Sequence, residues 1–253
     1  MEKNSALIPK TPRFSWFAGI GAIAVYLLSS LPFVLVVAFL KSASSGGGSN
    51  ADMQLILEDI ASDPWVLVGA LIVQSVSLFL YAYILSVVRG SRNPFNDFGL
   101  RFRKSSLWFL LVGIAIQIVS VVISIPLQII KGASTEQGVV TTFKSSSGLA
   151  FGLLLVMVAF VVPVAEELAF RGILQRGLAK NMRPLFSILI SGSVFAGIHL
   201  SDPGALIGIT SLFIVGISVA ALANYRGRID ASICLHIGFN MTTAFFLLIS
   251  RYF

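Results

Sequence analysis

Seven stretches of this sequence contain no Lys, Arg, Asp or Glu, and each is about as long as a bilayer is thick: Phe14–Leu40, Pro64–Val88, Ser105–Ile130, Ser145–Ala165, Pro184–Ser201, Pro203–Tyr225 and Ala231–Ser250. A membrane helix needs roughly 20 apolar residues in a row. Only 11% of the 253 residues are charged and 56% are hydrophobic, with a mean hydropathy of +0.91 and 20 Phe. A soluble domain carries about 25% charged residues, so this chain lacks the polar groups to cover a surface in water. That excludes an ordinary cytosolic enzyme, a disordered chain and a disulfide-stapled secreted domain. No open strand edge is tolerated in hydrocarbon, and the alternating pattern of a membrane barrel is absent. The expected fold class is all-α: a polytopic membrane helix bundle of about seven transmembrane helices.

The net charge of +7 is explained by where the basic residues fall. With the N-terminus in the cytoplasm, the inner segments hold Lys3, Lys10, Arg13, Arg89, Arg92, Arg101, Arg103, Lys104, Arg171, Arg176, Lys180, Arg183, Arg226 and Arg228. Only Lys41, Lys131, Lys144 and Arg251 of the 18 Lys and Arg fall outside, beside most of the acids. That is the positive-inside pattern. It predicts a cytoplasmic N-terminus and calls for no nucleic acid partner. The lone Cys234 permits no internal disulfide and has no metal-knuckle spacing. The first apolar stretch is too long for a signal peptide's core and reads as a retained span.

The whole of 1–253 reads as one membrane domain. Residues 1–144 form a three-span scaffold with outer loops, and 145–253 form the chemically equipped helices. Ser42–Asn50 is Gly/Ser-rich and expected to be flexible; Ala51–Ala61 is expected to form a surface helix or part of a flap; Lys131–Ser147 is expected to be loose. Pro32 and Pro126 are expected to kink their helices.

Ionisable residues within membrane spans are costly and point to function. Both histidines of the chain, His199 and His236, lie in spans, and the adjacent acids Glu166 and Glu167 lie where the fourth span enters a basic tail. Glu167 and Arg171 are i and i+4 and share a helical face. Glu166 is rotated by about 100° from Glu167, so one carboxylate can pair with arginine while the other points elsewhere. Phe195 sits one turn before His199, and His236 one turn before Asn240, so each pair projects alike. Phe195 is read as packing and Cys234 as inert. A hairpin at Asn181–Pro184 sets Glu166 and His199 at one level on antiparallel helices. His236 meets them if the fourth and fifth helices project into the cytoplasm beyond Arg171. Glu166, His199 and His236 are then expected to surround a common hollow.

These motifs resemble those of the type II CAAX prenyl protease and bacteriocin-processing (CPBP, Abi) family of intramembrane endopeptidases: E-E-x-x-x-R, F-x-x-x-H and H-x-x-x-N, in that order. Here they read Glu166, Glu167 and Arg171; Phe195 and His199; His236 and Asn240, with no departure, within about residues 160–245. The resemblance implies hydrolysis of a peptide bond in a membrane-associated, lipidated or unmodified peptide or protein. It implies that Glu166 activates water with His199 assisting, that His236 and Asn240 stabilise the oxyanion, and that Glu167 and Arg171 support the site. It also points to a bacterial plasma membrane. Peptide hydrolysis needs a base and oxyanion donors, and these residue types supply both. No HExxH, serine or aspartyl protease pattern is present.

The residues leave three other readings open. A zinc hydrolase could use Glu166, His199 and His236 as ligands, whereas the metal-free version needs no cofactor. The polar cluster could instead lock the helices of a non-proteolytic regulator or scaffold. A proton-coupled transporter would show repeats or broken helix pairs, which are not evident.

Overall fold

A computed structural model describes residues 14–44, 50–131, 138–201 and 205–252, and among these it contains helices and no strand. In chain order the longer elements are α1 (Trp16–Leu28), α2 (Leu31–Ser44), α3 (Asn50–Ser62), α4 (Pro64–Arg89), α5 (Trp108–Lys131), α6 (Gly138–Ser145), α7 (Gly148–Leu178), α8 (Pro184–Ile198), α9 (Ala205–Arg226) and α10 (Asp230–Tyr252). Phe39, Trp108 and Leu149 are each about 70% exposed, and many other large apolar side chains lie on the outside. A soluble monomer rarely displays so much continuous apolar surface. The chain is a multi-pass membrane protein whose outer surface is solvated by lipid.

Among the described residues, six segments are long and apolar enough to cross a bilayer: Trp16–Ser44, Pro64–Arg89, Lys104–Ile123, Gly148–Leu178, Gly208–Arg226 and Asp230–Ile249. The seventh candidate, Pro184–Ser201, is shorter than its apolar run suggests. Its α-helix stops at Ile198 and a 3-10 turn takes over from His199 to Ser201. At 1.5 Å per residue α8 is only about 22 Å long, less than the roughly 30 Å of hydrocarbon. The first span is also not one kinked rod. It is interrupted at Ser29 and Ser30, and Pro32 sits in the first turn of α2, where a missing N–H costs nothing. The loop expected at Lys131–Ser147 contains α6, while 132–137 lie outside the described residues. The surface helix expected at Ala51–Ala61 is present as α3; of the Gly/Ser-rich run, 45–49 lie outside the described residues, as do Lys3, Lys10 and Arg13.

Asp63 caps α4 and ties it to α2. Its carboxylate accepts from the N–H groups of Trp65 (2.9 Å) and Val66 (3.4 Å), and Lys41 donates to it at 3.2 Å. Burial opposes ionisation of Asp63, but the Lys41 and backbone hydrogen bonds outweigh it and hold its pKa below the usual 3.8. A depressed carboxylate stabilises the fold above its unfolded pKa, and that contribution is lost as pH falls through the folded value. Amide protection at the α3–α4 corner, corrected for the intrinsic exchange rate, should therefore fall as pH drops below about 4, and Asp63→Asn should abolish that loss.

Two glycines bring α5 against α10. A side chain at Gly113 would strike the carbonyl oxygen of Leu235, and one at Gly238 would strike that of Leu110. Small residues at such crossings let membrane helices pack backbone to backbone. Gly113→Val should separate the pair and lower the thermal midpoint of the detergent-solubilised protein by roughly 5–10 °C; an unchanged midpoint would show that the crossing carries no weight.

The main core surrounds the second half of α7. Ala165, Ala169, Phe170 and Ile173 pack with Leu78 of α4, Phe195 of α8, Val215 and Val219 of α9 and Leu235 of α10. A polar lock closes the basic end. Asp230, at the start of α10, accepts from the Arg103 N–H (3.0 Å) and the Ser106 hydroxyl (2.6 Å) and pairs with Arg228 (3.1 Å). Arg176 of α7 donates to the Gly227 carbonyl at 2.8 Å. The lock fixes where α10 begins, and His236 lies six residues, about 9 Å, further in.

Candidate active site

The helix that carries the two acids changes pitch twice. Within α7, a π turn at Met157–Val161 precedes an α segment, Val162–Glu167, and a second π stretch runs from Leu168 to Gln175. Such wide turns rotate the faces of a helix and recur at functional sites. Here they bracket Glu166 and Glu167. The helix continues unbroken to Leu178, and both acids lie beside His236.

Glu167 is completely buried and fully engaged on one oxygen. Its Oε1 lies 3.0 Å from Arg171 Nη1 and 3.2 Å from His236 Nδ1. Arg171, 1% exposed, reaches further: Nη2 donates to the Gly216 carbonyl of α9 at 2.7 Å, and its guanidinium lies 4.7 Å over the Phe195 ring. One turn on, Gln175 repeats the tie by donating to the Ala220 carbonyl at 2.8 Å. Removing one member of a buried pair leaves an uncompensated charge, so these contacts clamp α7 to α9.

Glu166 is 5% exposed and held far more loosely. Its Oε2 is 3.6 Å from His236 Nε2, beyond a hydrogen bond. Its Oε1 is 3.5 Å from the Tyr26 hydroxyl of α1, which donates to it. His236, 2% exposed, thus stands between the two carboxylates, one ring nitrogen toward each.

His199 stands at the C-cap of α8. Its Nδ1 is 2.8 Å from the Phe195 carbonyl. A carbonyl only accepts, so Nδ1 carries the proton and, in the neutral ring, Nε2 offers a lone pair. Phe195 links the two histidines, with ring centroids 5.1 Å from His199 and 5.4 Å from His236. It also packs edge-on against Phe170 at 5.4 Å, while Ser191 donates to the Phe170 carbonyl. Its expected packing role is therefore correct but incomplete, because this ring sets the spacing of the site. Asn240 donates through Nδ2 to the Val158 carbonyl at 2.9 Å.

Glu166, Glu167, Arg171 and His236 are thus in one contact group. His199 joins it through Phe195, and no direct bond from His199 to Glu166 occurs among the described residues. Sequence reasoning missed Tyr26, which makes α1 part of the site as well as scaffold, and Gln175. The i+4 spacing of Gln175 after Arg171 is a signal that could have found it; nothing in the sequence marks Tyr26.

A neutral His199 with Nδ1–H on a carbonyl is also suited to bind a metal through Nε2. Among the described residues, no three His, Cys, Asp or Glu side chains are grouped to hold a metal ion.

Residues 148–242 match the family model described as type II CAAX prenyl endopeptidase Rce1-like. That segment contains every motif residue from Glu166 to Asn240. No curated protein and no solved structure matches the chain.

Proposed function

Taking the match of residues 148–242 to the Rce1-like endopeptidases as its premise, we propose that this chain hydrolyses a peptide bond of a membrane-associated peptide or protein with a glutamate-activated water. The family supports a CAAX-type intramembrane protease in general; the assignment of steps is ours. The observation that carries it is the inequality of the adjacent acids. Glu167 is engaged by Arg171 and His236, while Glu166, buried in the same span, has among the described residues only contacts of 3.5 and 3.6 Å. A buried carboxylate that no strong partner claims is a reactive one.

Glu166 takes a proton from water as the water oxygen attacks the scissile carbonyl carbon. The lone pair of His199 Nε2 accepts the water's second hydrogen and orients it. The tetrahedral oxyanion is met by the second amide hydrogen of Asn240 and the Nε2–H of His236, which is not committed to a hydrogen bond. The C–N bond then breaks as the proton held by Glu166 passes to the leaving nitrogen. Glu167 and Arg171 fix His236 and the pitch of α7. This route uses no cofactor, so a strong chelator should leave turnover unchanged. Stoichiometric zinc with chelator-sensitive, metal-restored activity would overturn it.

The partners are the bilayer and a membrane-associated substrate, and the setting we propose is a bacterial plasma membrane. The membrane peptidomes of cells carrying wild-type protein and Glu166→Gln provide the test. An uncut precursor should accumulate only with the variant. Identical peptidomes, with an unaltered cellular phenotype, would favour a scaffold or regulator.

A further inference from the structure

The first π turn of α7 exposes a carbonyl that no backbone group can serve. The Val162 N–H donates to Met157 O, five residues back in place of the usual four. In that register the next carbonyl, Val158 O, awaits a hydrogen from residue 163. That residue is Pro163, buried and without an N–H. An unpaired carbonyl in an apolar interior is costly, and here the deficit is met from another helix: Asn240 Nδ2 of α10 donates to Val158 O at 2.9 Å. Asn240 lies one turn beyond His236, whose Nε2 faces Glu166. The second amide hydrogen of Asn240 has no partner among the described residues.

We infer that Pro163 is a positioning residue for hydrolysis: by withholding a backbone hydrogen it leaves Val158 O as the anchor that orients the Asn240 carboxamide. One amide hydrogen is spent on the anchor, which fixes the plane and rotation of the group. The other is thereby aimed and remains free for the oxyanion. The inference rests on the protease reading above, but the anchor is a separate physical claim and can be tested without turnover.

The experiment is a double-mutant cycle on the full chain in detergent, with Pro163→Ala, Asn240→Leu and the double variant. It reads the thermal midpoint, and kcat and KM on a quenched fluorescent peptide ending in farnesyl-Cys-aliphatic-aliphatic-X. With Pro163 in place, Asn240→Leu strands the carbonyl and should lower the midpoint by about 2–6 °C. In the Pro163→Ala background the backbone serves the carbonyl, and the loss should shrink by at least about half. Pro163→Ala alone should keep or raise the midpoint yet lower kcat about tenfold with KM unchanged, a fraction of what a whole oxyanion donor contributes. Equal midpoint losses in both backgrounds overturn the anchor. A coupled midpoint with wild-type kcat in Pro163→Ala overturns the positioning role. Pro163→Gly supplies the same hydrogen if the alanine variant fails to fold. If wild type and Glu166→Gln are equally inert on the peptide, the protease reading loses support, and the midpoint cycle still decides the anchor.

Discussion

Glu166→Gln should cut hydrolysis by at least about 10³-fold while moving the thermal midpoint by no more than about 2 °C. The two halves of this expectation come from the same geometry. The substitution is isosteric and removes only the ability to accept a proton from water, a contribution of about 10²–10⁴ in general base catalysis. Little stability depends on it, because the Glu166 contacts to Tyr26 and His236 are 3.5 and 3.6 Å long. Glu167→Gln should behave oppositely: it weakens the 3.0 Å pair with Arg171 and the 3.2 Å contact with His236, and the midpoint should fall along with activity. Two adjacent acids with matching effects would contradict the division of labour between them. Purified variants assayed side by side for melting and turnover give the answer.

Arg171→Met carries the largest expected cost to the fold. The guanidinium pairs with Glu167, donates to the Gly216 carbonyl and lies over Phe195, all out of contact with solvent. Met fills similar volume but leaves Glu167 facing His236 alone and Glu166 without a balancing charge. Breaking a buried pair from one side costs about 3–5 kcal/mol, which is on the order of 10 °C for a chain of this size. The same reasoning makes the double variant Glu167→Gln with Arg171→Met better than the single one, since it removes the stranded charge together with its partner. A single variant that melts within about 2 °C of wild type would show that the pair is not the clamp between α7 and α9.

The apolar periods and charge-free runs made the bundle legible, and the i,i+4 rule made Glu167–Arg171 legible, because both are local consequences of helix geometry. The departures are all non-local. Tyr26 meets Glu166 across 140 residues of sequence, and an aromatic with one hydroxyl looks like any other residue of an apolar span. The π turns of α7 go with carbonyls that take donors from other helices, Val158 from Asn240 of α10 and Phe170 from Ser191 of α8, so composition alone cannot reveal them. The early stop of α8 at Ile198 is equally invisible in hydropathy, since Leu200 keeps the run apolar; yet it places His199 at a helix end, where its ring turns back to the Phe195 carbonyl. Phe195 illustrates the general point. Its apolar character predicts burial correctly, but its value to the site lies in touching two imidazoles and a guanidinium at once.

Hydrolysis by a water activated at Glu166 is tested most directly by isotope. Membranes containing wild-type protein or Glu166→Gln are incubated in water enriched in oxygen-18, and newly formed peptide C-termini are read by mass spectrometry. Wild-type membranes should yield a set of new C-termini, each with one heavy oxygen in its carboxylate, and the Glu166→Gln membranes should lack that set. The same C-termini from both membranes, at similar abundance, would contradict the account.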